Sequence, residues 1–141
     1  MEIETRFHGK INFDENKIIT FNKGLPGLEQ LHKFILFPVE GNGSFSILHS
    51  VEDMDIALVV TSPFNIIKDY EFEIDDTIVE ELKIIDAKNV LVLSTVSIYR
   101  QKEKITTNLK APIIINMESN LGEQLILDNE KYIIKYPIFQ E

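Results

Sequence analysis

A run of three isoleucines, Ile113 to Ile115, directly follows an alanine–proline step in this chain. Isoleucine is branched at Cβ and restricted at χ1, so it favours the pleated, well-packed environment of a β-strand. Pro112 cannot donate a ladder hydrogen bond and therefore belongs at the first residue of a strand or on a sheet edge. Proline also biases the preceding residue, Ala111, away from helix. The segment predicts a buried strand with a fixed starting point.

Short apolar segments rich in β-branched residues recur along the chain, and glycine or proline separates them at short intervals. This spacing is typical of a mostly antiparallel β fold. Gly41-Asn42-Gly43 is a strong hairpin signal, because these residues tolerate the positive φ of tight turns. The predicted strands are Ile3 to His8, Lys10 to Phe13, Ile18 to Phe21, Phe34 to Val39, Phe45 to His49, Asp55 to Thr61, Tyr70 to Ile74, Val90 to Tyr99, the strand from Ile113, Gln124 to Leu127 after a Leu121-Gly122 turn, and Lys131 to Tyr136. So many strands in one small domain favour a barrel or a closely packed sandwich, since long open edges promote aggregation.

One short helix interrupts the strand pattern in the middle of the chain. Thr77-Ile78-Val79-Glu80 fits a capping box, with Thr77 as the N-cap and Glu80 at the third helical position. The helix is expected to end near Ile84, because the apolar face does not continue beyond it. A second, smaller element is predicted at Leu28 to His32, which fits a single helical turn.

The composition fits one domain. The 141 residues are 44% hydrophobic and 26% charged, as in ordinary globular proteins. We therefore predict one mainly β, antiparallel barrel-like domain over residues 1–141 with one short helix. The absence of cysteine excludes disulfides and cysteine-based metal or catalytic sites. The acidic start, with Glu2 and Glu4, does not fit a signal peptide, and no apolar run reaches the ~18 residues of a membrane span.

The charge balance restricts the partners. The chain has 14 basic and 23 acidic residues and a net charge of −9, which favours solubility and can also steer association with a basic partner. Only Arg6 and Arg100 are arginines, whereas arginine is the preferred residue for phosphate and base-edge contacts. Direct binding of nucleic acid is therefore not expected, and a basic nucleic-acid-binding protein suits this chain better.

Glu52, Asp53 and Asp55 form the densest acidic cluster. Three interpretations stay open: metal ligands or an acid/base pair of an enzyme, a solvated turn before a buried strand, and an acidic patch that faces a partner. In a strand, Asp53 and Asp55 would share one face. The histidines lie far apart, and neither a nucleophile elbow nor a phosphate-binding loop is present. No catalytic constellation is found, and no metal or cofactor is expected.

Phe64-Asn65-Ile66-Ile67 is unusually apolar for a predicted loop. One interpretation places these side chains back in the core. The other makes Phe64 an exposed anchor for a partner, with Asp69 and Glu71 as its polar rim. Tyr70 begins the next predicted strand and is expected to add a second aromatic contact.

Several short motifs resemble one known family. They are Ile19-Thr20-Phe21-x-x-Gly24-Leu25-Pro26-Gly27-Leu28-Glu29, Leu48-His49-Ser50-Val51-Glu52-Asp53, Phe64 followed by Asp69-Tyr70-Glu71, Asn108-Leu109-x-Ala111-Pro112-Ile113-x-Ile115-Asn116 and Gly122-x-Gln124-x-Ile126-Leu127. Together they resemble the flagellar assembly factor FliW family over nearly the whole chain, from Phe7 to about Tyr132. His49 departs from that pattern, since many relatives carry glutamine there.

The resemblance implies a β-barrel-like fold and a bacterial cytoplasmic protein that catalyses nothing and binds two proteins. One partner is flagellin, which a protein of this family would hold as a chaperone before export. The other is the RNA-binding translational repressor CsrA, whose capture relieves repression of flagellin synthesis. An amphipathic flagellin helix is then expected in an apolar groove around Phe64, Asn65, Ile66 and Tyr70. The alternatives are a metal-dependent enzyme built on the acidic cluster and a small-molecule-binding β-barrel.

Overall fold

The computed structural model describes residues 1–6, 8–98 and 104–138. Helix α1 spans Asp76–Glu81, and short 3-10 helices span Glu15–Lys17, Pro63–Asn65 and Ala87–Asn89. Strands β1 to β11 span Glu2–Thr5, Gly9–Asn12, Ile19–Thr20, Lys33–Val39, Asn42–Ser50, Ala57–Thr61, Val90–Ser97, Thr106–Thr107, Ile113–Asn116, Leu121–Gln124 and Tyr136–Pro137. No helix in this part of the chain has the length and apolarity needed to cross a membrane.

Seven strands close into a barrel in the order β7-β6-β5-β4-β3-β10-β9 and back to β7. Their pairings are antiparallel except that between β3 and β10, where Leu121 lies opposite Thr20 in a parallel pair. β1 and β2 form a separate hairpin, and β8 and β11 extend the sheet from β7. The prediction of a mainly β, barrel-like fold with one short helix is confirmed, with this one parallel contact.

The barrel interior is filled by apolar side chains. Phe21, Phe34, Leu48, Ile113 and Ile115 are fully buried there, and the rings of Phe21 and Phe34 meet edge to face with centroids 5.6 Å apart. Small barrels of this kind are packed cores with no channel. The filled interior argues against a barrel that holds a small molecule inside.

The isoleucine run forms β9, as predicted, and both faces of this strand are covered. Ile113 and Ile115 face the barrel interior, whereas Ile114 packs outside it with Ile78 and Leu82 from the α1 region. A strand that is buried on both faces has a continuous apolar sequence and not an alternating one. The covering helix therefore explains why three isoleucines occur in succession.

Residues 108–112 form an excursion between β8 and β9, which pair with the same strand, β7. Asn108 closes this excursion, because its Oδ1 accepts the main-chain N–H of Lys110 at 3.0 Å and of Ala111 at 3.1 Å. Leu109, within the excursion, is fully buried. The motif around the Ala-Pro step is thus a side-chain-capped turn that places one leucine in the protein interior.

The turn from Gly24 to Glu29 depends on glycine. Gly24 has φ +68°, and a Cβ added there would lie 2.6 Å from the Cα of Glu29, which is closer than real Cβ contacts allow. Gly27 also has a positive φ, +83°, but nothing lies within 4 Å of its added Cβ. The helical turn predicted over Leu28 to His32 is wrong, since isolated turn bonds there do not continue as a helix.

Several predicted strand boundaries differ from the structure. The Tyr70 to Ile74 segment pairs with no strand of the described residues, and Lys131 to Tyr136 is a turn region that enters β11 only at its last residue. Leu121-Gly122 lies inside β10 and not in a turn. The strand predicted from Val90 is confirmed as β7, and its predicted end at Tyr99 lies outside the described residues. In each case, the hydrophobic pattern and the positions of glycine and proline did not reveal which segments pair with another strand.

The N-cap of helix α1 lies two residues before the predicted one. Asp75, and not Thr77, caps the helix, since its Oδ1 accepts the main-chain N–H of Ile78 at 3.0 Å. An aspartate in this position also interacts favourably with the positive end of the helix dipole. At the other end, Asn116 Nδ2 donates to the carbonyl of Leu82 at 2.8 Å. The helix is thereby fastened to the end of β9.

Candidate partner-binding site

Glu52 is bound to the main chain where β4 begins. Its Oε1 accepts the N–H of His32 at 2.7 Å and the N–H of Lys33 at 2.8 Å. These two bonds hold the pKa of Glu52 below its usual range, and the bond from His32 has the larger effect. They do so because they stabilise the ionised carboxylate. Glu52 therefore ties the end of β5 to the start of β4, and its oxygen is engaged in that structural role.

Asp53 and Asp55 lie in a turn, because β6 begins at Ala57 and not at Asp55 as predicted. The strand arrangement in which the two carboxylates would share a face therefore does not occur. Asp53 Oδ1 accepts the main-chain N–H of Asp55 at 3.0 Å. Asp55 Oδ1 lies 3.8 Å from Arg6 Nη1 in an exposed ion pair, and such pairs contribute little to stability. This geometry fits a solvated turn before a buried strand.

Metal coordination is not indicated at the acidic cluster. Within residues 1–6, 8–98 and 104–138, no group of three His, Asp or Glu side chains comes together in a way that could hold an ion. Carboxylate oxygens of Glu52 and Asp53 already accept main-chain hydrogen bonds. The structure thus gives no support to an enzyme built on these acids. A partner-facing acidic patch at Asp53 and Asp55 is compatible with this geometry.

Phe64 lies in the 3-10 helix Pro63–Asn65 that follows β6. Its side chain is 43% exposed, and its ring meets the ring of Tyr70 edge to face with centroids 5.7 Å apart. Asn65 is exposed and Ile66 is half-buried. Phe64 therefore combines the two interpretations of this segment: one side of the ring packs on the protein, and the other reaches solvent.

Tyr70 supports Phe64 from below. It is buried, its Oη donates to the carbonyl of Leu109 at 2.7 Å, and its ring lies 4.6 Å from that of Tyr132. Burial raises the pKa of the Tyr70 phenol, because the low-dielectric surroundings disfavour the anion. Tyr132 Oη in turn accepts the N–H of Glu71 at 2.9 Å. These bonds hold the position of the aromatic platform beneath Phe64.

An apolar groove of about 500 Å³ opens beside Phe64, and we call it the Phe64 groove. Its walls come from the extended segment after Tyr70, from α1 and the loop that follows it, and from the start of β7. The apolar side chains that define it are Phe64, Phe72, Ile74, Val79, Val90 and Val92. Sequence reasoning identified Phe64 at its entrance, together with Tyr70 and Glu71, and missed the other walls.

Acidic side chains lie along one wall of this groove. Glu71, Glu73 and Asp75 are exposed and alternate along the chain with the more buried apolar residues of the same segment. Asp69 is also exposed, and its Oδ2 lies 3.5 Å from Lys131 Nζ. The alternation of acidic and apolar residues from position 70 to position 75 was the sequence signal for the groove wall. It indicates a surface that is apolar inside and negative at the rim.

A second apolar groove, of about 490 Å³, involves residues of the Leu25 turn, β7 and the segment after β10. Leu58 and Val96 line it from the barrel wall. Ile126 and Ile134 also line it, and they are 70% and 58% exposed. More than half of its lining residues belong to the motifs around Leu25, Ala111 and Gln124. Those motifs lie far apart in the chain, so the sequence did not indicate that they share one surface.

The fold and these surfaces define a class of protein. The barrel is packed inside, its exterior carries two apolar grooves, and the described residues include no cluster that could hold a metal. Exposed apolar grooves with polar rims are features of interaction surfaces. The class is that of a small, packed β-barrel with apolar grooves on its exterior.

The comparison with known proteins gives the family. The FliW protein family profile matches residues 2–138. The chain is 52% identical over 141 residues to the flagellar assembly factor FliW of Clostridium novyi (strain NT), covering 100% of this chain and 99% of that protein. It is 51% identical over 140 residues to that of Clostridium kluyveri (strain NBRC 12016), covering 99% and 97%. A crystal structure of the flagellar assembly factor FliW matches it with a TM-score of 0.92 at 34% identity, covering 100% of this chain and 99% of the other. The chain belongs to the FliW family of flagellar assembly factors, which are not enzymes.

Proposed function

We propose that this protein binds flagellin in the cytoplasm and holds it as a chaperone before export. The observation that carries the proposal is Phe64, a half-exposed aromatic ring at the mouth of an apolar groove. Its ring rests on Tyr70, which is itself fixed by the bond to the Leu109 carbonyl. An anchor held in place in advance loses little conformational entropy when a partner binds.

We propose further that the protein, when free of flagellin, captures the RNA-binding repressor CsrA and so relieves repression of flagellin synthesis. The net charge of −9 supports this part, because an acidic surface speeds encounter with a basic RNA-binding protein. Within the acidic turn, Asp53 and Asp55 are the better contact residues. Glu52 is less suitable, since its carboxylate already binds two main-chain N–H groups.

Calorimetry with purified flagellin tests the Phe64 groove. Phe64→Ala should weaken flagellin binding by about 2 kcal/mol or more, roughly 30-fold, if Phe64 is a central anchor. Ile126→Ala is the matched control, because Ile126 is exposed and apolar but lines the second groove. The control should bind flagellin normally.

Thermal melting of the same two variants separates binding from folding. Phe64 is partly buried, so Phe64→Ala should also lower stability, by about 1–2 kcal/mol, and binding must be measured where both variants are folded. Normal flagellin binding by folded Phe64→Ala would remove Phe64 from the site. An equal loss in Ile126→Ala would show that the assignment to the Phe64 groove is wrong.

A further inference from the structure

Among the described residues, the first half of β7 pairs with a neighbouring strand on one side only. Val90–Leu93 pairs with β9, from Val90↔Asn116 to Leu93↔Ile113. On the opposite side, β6 pairs with β7 only from Thr61↔Ser94 onward. A continued register would place Pro63 opposite Val92, and proline has no N–H to donate. The chain instead turns into the 3-10 helix Pro63–Asn65, which contacts β7. Among the described residues, this part of β7 has no strand partner on that side, and we call it the open edge of an otherwise closed barrel.

The hydrogen-bond phase shows which main-chain groups face this edge. In an antiparallel ladder, alternate residues bond to the same neighbour. The Met117 N–H donates to the carbonyl of Asn89 at 2.8 Å. Counting every second residue from Asn89, the main-chain groups of Leu91 and Leu93 therefore point toward β9. The main chain of Val92 therefore points to the open edge, as does the carbonyl of Val90. Within the described residues, no hydrogen bond to the Val92 N–H, the Val92 carbonyl or the Val90 carbonyl is found.

The open edge lies in the Phe64 groove. Val90 and Val92 are only half-buried and line the groove, with Phe72 on another wall. An extended chain placed here could therefore bond to the edge and bury apolar side chains at the same time. A helix could not use the edge, because its own N–H and C=O groups are already bonded to each other.

The charges at the groove indicate which sequence would fit. Glu71 lines the groove, and Glu73 is exposed between the apolar positions of the same segment. Lys131 pairs with Asp69, at 3.5 Å, and leaves both glutamates available. A strand that alternates apolar residues with lysine or arginine would match the apolar walls and the negative rim together.

We propose that the Phe64 groove binds an extended segment of a partner protein as an added strand on the Val90–Leu93 edge of β7, and that apolar residues alternate with lysine or arginine in that segment. This inference rests on the proposed function, since it names the conformation and charge of the bound segment. Strand addition of this kind draws affinity from main-chain hydrogen bonds and specificity from alternate side chains.

The test uses a capped eight-residue peptide of alternating valine and lysine. Fluorescence anisotropy should show saturable binding, and amide hydrogen exchange should slow at Val92 when the peptide is present. The same peptide N-methylated at alternate residues, and a version with glutamate for lysine, should each bind at least about tenfold more weakly. Equal binding of either modified peptide, or unchanged exchange at Val92, would overturn the proposal.

Variants of the edge complete the test. Val92→Pro removes an N–H that has no partner and should leave the fold intact, but it should weaken peptide binding about tenfold or more. Val92→Ala keeps the main chain and should lose much less. Should Val92→Pro not fold, the exchange measurement on the unmodified protein decides. Concentration-dependent dimerisation that occupies the same edge would overturn the proposal in favour of self-pairing.

The outcomes also separate this inference from the proposed function. If the unmodified protein binds flagellin but not the alternating peptide, strand addition is overturned and the flagellin proposal stands. If it binds the peptide at Val92 but not flagellin, the edge is supported and the flagellin proposal is overturned.

Discussion

Replacing Tyr70 by phenylalanine removes a single oxygen atom and tests whether Tyr70 is a buried tether or a contact residue. The Tyr70 Oη donates to the Leu109 carbonyl at 2.7 Å, and both residues are buried. Within the described residues, that carbonyl accepts no other hydrogen bond. Tyr70→Phe therefore leaves a buried acceptor without a partner while the ring that supports Phe64 stays in place.

The expected cost follows from that unpaired carbonyl. A buried acceptor that loses its donor destabilises a protein by about 1–3 kcal/mol. A chain of roughly this size loses about 2–4 °C in melting temperature for each kcal/mol. The middle of these ranges corresponds to a fall of about 6 °C. Tyr136→Phe is the control, because Tyr136 is half-buried and donates no side-chain hydrogen bond within the described residues. Its change should stay within about 0.5 kcal/mol.

The pH dependence gives a second, independent readout. Burial raises the pKa of Tyr70 above its ordinary value of 10.0. A raised folded-state pKa means that the stabilising effect of the neutral phenol is complete below the unfolded value and declines as the pH rises above it. Urea unfolding between pH 9 and 11 should therefore show a steeper loss of stability for the unmodified protein than for Tyr70→Phe.

Flagellin binding by the same variant gives a third readout. Flagellin affinity of folded Tyr70→Phe should stay within about twofold of the unmodified protein, since the ring under Phe64 remains. Equal melting temperatures of the Tyr70→Phe and Tyr136→Phe variants would refute the tether. A large loss of flagellin binding at unchanged stability would instead make the Tyr70 hydroxyl part of the contact surface.

Two further predictions concern the turn and the charge. Gly24→Ala should destabilise the protein by several kcal/mol, because its Cβ would collide with main-chain atoms. Gly27→Ala, where the Cβ meets open space, should cost only about 1–2 kcal/mol from its positive φ, and equal costs in urea unfolding would contradict the collision. Stopped-flow association with CsrA should slow between ~50 and ~500 mM salt, as the Debye length falls severalfold. Unchanged rates would show that the acid excess serves solubility alone.

The part of the fold that could be predicted from the sequence is the part that local chemistry determines. The isoleucine run, the Gly41 hairpin and the single helix each depend on residues next to one another, and each occurs, although the helix begins at a different cap. The segment from Tyr70 to Ile74 shows the limit. Its alternating burial is real, but whether an extended segment pairs depends on what lies beside it in space, which its own residues do not record.

The candidate site shows the same limit more clearly. Phe64 was identifiable because an apolar loop is unusual. The groove beside it was not, because Phe72, Val79 and Val90 belong to three separate elements. The open edge at Val92 could not be found either, since it results from where β6 stops relative to β9 along β7.

The motifs that carry the family resemblance are mostly structural, and this affects where binding residues should be sought. Gly24 permits a turn that no side chain would allow, and Asn108 closes the excursion that buries Leu109. Asn116 fastens α1 to the barrel through the Leu82 carbonyl. A chain can therefore keep these motifs, and with them the barrel, while the residues lining the Phe64 groove change. Because the walls of the Phe64 groove lie mostly between the motifs, differences among relatives there would adjust partner preference without altering the fold.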